Sequence, residues 1–199
     1  MLITVKARMS AYSCGNAEVD TELAADMQKI SPAELINQYA EGKRDFTGVS
    51  LESLDLFETN LEGINLQNSN LSQAYLPYAN LSNSNLQSAQ MVAAELGDSQ
   101  LYQANLCQAN LQSASLSRAN LRYANLKGAD LTNANLQGVD LYQADLSEAN
   151  LSQADLGGAN LEQAILKSTN LVGCNLHRAK GVDLSEARYD QTTIGPDGY

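Results

Sequence analysis

The stretch ANLRYANLKGADLTNANLQGVDLYQADLSEANL, residues 119–151, carries a leucine at every fifth position. Regular secondary structure has no such period. In a helix, at about 100° per residue, successive leucines would sit about 140° apart and wind around every side. In a strand they would alternate between opposite faces. The spacing makes sense only if the chain turns a corner once in every five residues.

The register extends far beyond this stretch. Stepping by five from Phe46 to Leu176 gives 27 positions, filled by 25 Leu, Phe46 and Met91. Two residues earlier, 16 of the 27 are Ala, and one residue earlier 14 are Asn and six are Asp. Leu and the small residue therefore share the inner face of a short extended segment, and the Asn or Asp between them points outward. The two residues after Leu are rich in Gly, Ser, Asn and Gln, and Gly and Asn suit a bend. If each bend is about a right angle, four repeats close a coil of 20 residues, and coils stack at roughly 4.8 Å.

Repeated A-(N/D)-L-x-x over residues 44 to 178 resembles the pentapeptide repeat family, and the undecorated A-N-L style most resembles its cyanobacterial branch. The resemblance implies an all-β solenoid, a right-handed quadrilateral β-helix, here of about seven coils. Before the repeats, Ser31-Pro32-Ala33-Glu34 reads as a capping box with Pro at the first helical position. It predicts a short capping helix over about 32–41. The expected organisation is an N-terminal extension (1–30), the capping helix (31–42), the β-helix (43–180) and a C-terminal cap or tail (181–199). Val19, Leu23, Met27 and Ile30 have helical spacing, so a second short helix and disorder are both open readings of the extension. After Leu176 the register slips by three, and the pattern continues with Leu184 and Tyr189.

No stretch approaches the 18 consecutive apolar residues of a membrane span, and no secretory block opens the chain. A cytoplasmic protein is expected. Cys14, Cys107 and Cys174 are widely separated and His177 is the single histidine, so no zinc spacing exists. Three reduced thiols are expected, with Cys107 outward and Cys174 inward. Asp130, Asp140, Asp145 and Asp155 fall on four different faces and form no acid–base pair. The interior is filled by leucine. No catalytic residue, metal ligand or cofactor is assigned, and the chain is expected not to be an enzyme.

With 12 basic and 23 acidic residues the formal charge is −11, the wrong sign for direct nucleic-acid binding. Some acidic family members imitate B-DNA and bind DNA gyrase, so that reading must be weighed. Residues 46–180 carry twelve acids and six bases, net −6. Duplex DNA as long as the expected tube, roughly 32 Å, carries about 19 negative charges. The copy is poor. Such mimics also commonly dimerise through a C-terminal helical or hydrophobic module that is missing here, which points to a monomer.

A partner, if there is one, must bind the outer walls, and that partner is another protein of unspecified identity. Residues 20 apart should stack, which places Arg122 between Tyr102 and Tyr142, suited to cation–π contact, with Tyr123 beside it and Arg118 at the preceding corner. Phe57, Tyr75 and Tyr78, with Pro77, form a second outward aromatic group. Tyr and Arg are frequent interface anchors. The bland alternative is that these rings pack on one another, or that the protein is structural and has no dedicated partner.

Overall fold

The computed structural model describes residues 27–198. Three named elements open it: strand β1 (Gln28–Lys29), helix α1 (Pro32–Ala40) and strand β2 (Val49–Ser50), with β1 parallel to β2. Residues 28–29 are thus extended, not the end of a second helix. The rest of that helix reading, Val19 and Leu23, lies outside the described residues. Ser31 caps α1 by accepting from the Glu34 N–H at 3.2 Å, and Leu35 is fully buried. The Tyr39 hydroxyl donates to the Glu62 carbonyl at 2.8 Å, which ties the helix to the repeats.

From Asp45 onward the chain is a β-helical solenoid. Parallel bridges join each residue before a leucine to the one 20 positions on, and they fall into four ladders. The first runs through Asp45, Asn65, Asn85, Asn105, Asn125, Asp145 and Ile165. The second starts at Ser50, the third at Asp55 and Tyr75, and the fourth at Asn60 and Asn80. At the far end the offset shortens, with Asn170 bridged to Arg188 and Asn175 to Ile194. The tail therefore keeps the stack going after the register slip. Leu184 packs against the core, but Tyr189 is exposed and does not extend the inner row.

All 27 positions of the leucine row are at most 6% exposed. At about 1.5–3 kcal/mol for each fully buried side chain, the row is the main favourable contribution to the fold. Hydrogen bonds, worth about 1 kcal/mol each, select the register and the corner. The repeat Asn120–Ala124 satisfies every backbone N–H. Asn120 donates to the Ser99 carbonyl (2.9 Å), Leu121 to Asp140 (2.8 Å) and Tyr123 to Tyr142 (3.0 Å), all in neighbouring coils. Ala124 closes the turn onto Leu121 at 3.1 Å. The Arg122 N–H, at the outside of the corner, is taken by the Asn120 side-chain oxygen at 3.2 Å.

That last bond explains the Asn/Asp preference. Wherever Asn or Asp precedes the leucine, its Oδ1 accepts from the N–H two residues on, from Thr47 to Asp45 through His177 to Asn175. Tyr75 is instructive, because the residue two on is Pro77, which has no N–H to satisfy. The asparagines also bond along the stack: Asn125 donates to Asn105, Asn105 to Asn85, Asn85 to Asn65, and Asn65 to Asp45, at 3.0–3.1 Å. A carboxylate accepts but cannot donate. An Asp can begin such a row, as Asp45, Asp140 and Asp155 do, but cannot continue it.

The corner has a cost. The second residue after each leucine has positive φ at all 27 corners, occupied by 21 non-glycine residues and six glycines. Such turns place a left-handed residue third. For residues other than Gly this conformation costs about 1–2 kcal/mol, offset here by the burial of the leucine it directs inward.

Two substitutions test these points in urea denaturation. Ala93 is exposed at φ 54°, so Ala93→Gly is expected to stabilise by about 0.5–1 kcal/mol, the reverse of the usual sign. Asn85→Asp keeps the corner acceptor but loses the donor to Asn65, and is expected to destabilise by about 1 kcal/mol.

Candidate functional site: two aromatic groups on adjacent ladders

The ladder register sorts the sequence-predicted residues into two groups. Phe57, Tyr75 and Tyr78 lie on the third ladder and its corner. The Phe57 and Tyr75 rings stack at 6.1 Å with 16° between planes, and Tyr78 meets Phe57 edge-on at 5.8 Å. All three remain 44–53% exposed. A fold whose other ladder slots are mostly polar here presents a compact apolar patch.

Arg118 joins this group, not the tyrosines of the next ladder. It makes a two-pronged contact with Asp98, Nε to Oδ1 at 2.8 Å and Nη2 to Oδ2 at 2.6 Å. Tyr78, Asp98 and Arg118 occupy the same corner 20 residues apart, so Asp98 is a member that the sequence reading missed. The stacking rule applied to Arg118 would have found it. The Arg118 hydrogen bond holds the Asp98 carboxyl below its ordinary range, and Asp98 in turn raises Arg118. The pair is therefore ionised at neutral pH, and it breaks only as pH falls through the lowered Asp98 value.

Tyr102, Arg122, Tyr123 and Tyr142 form the second group, on the fourth ladder. Here the arrangement differs from the expected Tyr–Arg–Tyr stack. Tyr123 is the central ring, edge-on to Tyr102 at 5.4 Å and to Tyr142 at 5.8 Å. Arg122 lies over Tyr142 at 4.4 Å and within 5.8 Å of Tyr123, and pairs with Asp140 at 3.1 Å. The reason is local: Asp140 accepts the guanidinium from beside the Tyr142 ring, which draws Arg122 to one side. These four residues are all half-buried. They satisfy one another, whereas the Phe57 group stays open.

The remaining titratable residues do not assemble. Asp130, Asp140, Asp145 and Asp155 sit on four separate ladders. Among the described residues no group of three His, Cys, Asp or Glu side chains converges as a metal ion would require. Burial, with Asp155 nearby, pushes the Cys174 thiol up to about 12. It is thus a buried neutral thiol. Cys107 departs from expectation: it stands at an outward corner, yet it is fully buried and disulfide-bonded, not reduced and open. Cys14 lies outside the described residues. No described helix is long and apolar enough to cross a membrane.

With this geometry in place, the family is unambiguous. The chain belongs to the pentapeptide repeat family, whose family model matches in eight copies over residues 55–91, 64–99, 99–138 and 144–180. Solved pentapeptide repeat structures align along it. A trypsin-treated form of QnrB1, a plasmid-mediated fluoroquinolone resistance protein, is 21% identical over 74% of this chain and 80% of its own, with a TM-score of 0.56. HetL, involved in heterocyst differentiation regulation in the cyanobacterium Nostoc sp. strain PCC 7120, is 26% identical over 85% and 99%, at 0.36. The protein alr5209 from the same organism is 28% identical over 83% and 99%, at 0.36. No curated protein sequence matches the chain.

The self-packing of the exposed rings can be measured. A double-mutant cycle on Phe57→Ala and Tyr75→Ala is expected to give a coupling of about 0.5–1.5 kcal/mol in denaturation. A coupling of zero would mean that the rings do not stack in solution.

Proposed function

We propose that this protein is a rigid, non-catalytic scaffold that binds another protein through the third ladder, acting as a monomer in the cytoplasm. The shape it offers is a right-handed, four-sided tube of about seven coils, closed at its start by α1. The 20-residue bridge register and the burial of Leu35 support that reading. One observation carries the function. Phe57, Tyr75 and Tyr78 stay exposed as a contiguous group, beside an ordered Asp98–Arg118 pair. Aromatic anchors flanked by a charged rim are what protein interfaces use.

The reading as a DNA mimic acting on gyrase has less behind it. The Asp and Asn side chains before the leucines serve as corner acceptors, so the acids in that slot answer a backbone need. Asp98, Asp140 and Glu148 are also paired with Arg118, Arg122 and Lys127. Residues 46–180 keep a net charge of only −6, far below the roughly 19 charges of a duplex of that length.

An affinity capture from the native host separates the readings. Wild type is expected to retain a partner that Phe57→Ala/Tyr75→Ala/Tyr78→Ala loses and Tyr102→Ala/Arg122→Ala/Tyr142→Ala keeps. Retention by both variants would overturn the assignment of the surface, and capture of nothing by wild type would favour a purely structural role. Gyrase supercoiling is expected to be unchanged at micromolar protein.

A further inference from the structure

The acidity of the tube is one-sided. Residues 46–117 hold six acids, Glu52, Asp55, Glu58, Glu62, Glu95 and Asp98, and no Lys, Arg or His. Residues 118–180 hold six acids and six bases. The net −6 of the repeats therefore resides in the coils that carry the Phe57 group, and four of those six acids share its wall. Asp55 and Glu95 stand on either side of Tyr75 in the third ladder, at steps of roughly 5 Å. Glu58 and Asp98 stand on either side of Tyr78 at the corner. Asp98 is taken by Arg118. Among the described residues no cation pairs with Asp55, Glu58 or Glu95, and all three are exposed.

The molecule itself shows what fills such a place. Asp followed by Leu and then a ring occurs twice in the repeats, as Asp55-Leu56-Phe57 and as Asp140-Leu141-Tyr142. The two are built alike, for each Asp Oδ1 accepts from the N–H of its ring residue at 3.1 Å. At the second, Arg122 from the preceding coil lays its guanidinium over the Tyr142 ring at 4.4 Å and donates to Asp140 Oδ2 at 3.1 Å. At the first, no coil precedes. The residue 20 positions before Phe57 is Asn37, in α1. Among the described residues no cation lies over Phe57, Tyr75 or Tyr78.

We propose, on the reading that the third ladder is the docking surface, that its partner is a protein presenting an extended, arginine-bearing segment. One guanidinium takes the place over Phe57 beside Asp55 and Glu58, and a second lies over Tyr75 beside Glu95. The coil step of roughly 5 Å is close to the ~6–7 Å between alternate side chains of an extended chain. Arginine suits the site better than lysine, because its planar guanidinium stacks on a ring face and offers two parallel N–H donors to a carboxylate. The acidic rim also steers a basic partner toward the rings and rejects an acidic one.

The full chain tests this with the capped peptide GRSRG, its lysine counterpart GKSKG, and a counterpart carrying neutral citrulline at both places. Each is titrated at low salt and followed by proton NMR of the aromatic rings. The arginine peptide is expected to bind with a Kd of about 1 mM or tighter. It should shift the ring signals of Phe57, Tyr75 and Tyr78, leave those of Tyr102, Tyr123 and Tyr142 in place, and weaken as salt is raised. Asp55→Asn/Glu58→Gln/Glu95→Gln is expected to weaken it about fivefold or more. That variant keeps the corner, since Asn fills the equivalent slot elsewhere and accepts from the same N–H. No binding of the arginine peptide, equal binding of the lysine or citrulline peptide, undiminished affinity in the charge variant, or shifts confined to the Tyr102 group would each overturn the proposal. Capture from the host keeps its failure apart from that of the docking surface. A partner lost by Phe57→Ala/Tyr75→Ala/Tyr78→Ala but kept by the charge variant leaves the surface standing and overturns the basic partner.

Discussion

The constraint that recurs along this molecule is a hydrogen bond at the outside of the corner, made wherever Asn or Asp precedes the leucine, at 20 of the 27 corners. Turning the chain once in five residues leaves a single backbone N–H, on the residue after leucine, that no neighbouring coil can reach. A side chain of the right length, two residues back, supplies the missing acceptor. Asn and Asp meet that need, and asparagine can also donate down the stack. The leucine interior supplies most of the stabilisation, and it stays buried even at the corners after Ser50, Gln90, Glu95, Gln100, Ser115 and Ile165, which have no Asn or Asp acceptor. The left-handed corner residue is the accompanying cost, accepted even by Tyr, Arg and Glu.

This grammar changes how the surface is read. The acid in the slot before leucine is part of the turn, so the count of carboxylates there says little about what the protein binds. Departures from the pattern are more informative. Tyr75 stands in a slot that elsewhere mostly holds Asn or Asp, and it combines with Phe57 and Tyr78 in a patch that nothing described covers. Tyr102, Tyr123 and Tyr142 form a more self-contained group. Both lie on walls next to one another, while Cys107 lies on the wall across from Phe57.

The solenoid was legible from the sequence because its signal is arithmetic: an uninterrupted period of five, small residues two before each leucine, and Asn or Asp between. Ladder membership followed from counting by 20, which correctly separates Asp130, Asp140, Asp145 and Asp155. Side-chain direction within a corner was harder. Arg118 and Tyr123 both occupy the left-handed position, one turning back to Asp98 and the other wedging between two tyrosines, and period alone does not choose between these outcomes. The disulfide at Cys107 was missed because three widely separated cysteines give no spacing signal. β1 escaped notice because two residues carry too little pattern to oppose a helical spacing.

Pro77 makes its corner unlike the others, because it is the one corner among the 27 whose first bend residue is a proline. Because it brings no N–H to the corner, and because its ring already favours the backbone angle that the first bend residue adopts, position 75 is released from acceptor duty. A paired exchange, proline first and novelty second, is therefore one way for such a tube to acquire new side chains on its wall without leaving a donor unmet. Such pairs are natural grafting points, where a chosen chemical group could be displayed at roughly 5 Å increments on an otherwise unaltered rod.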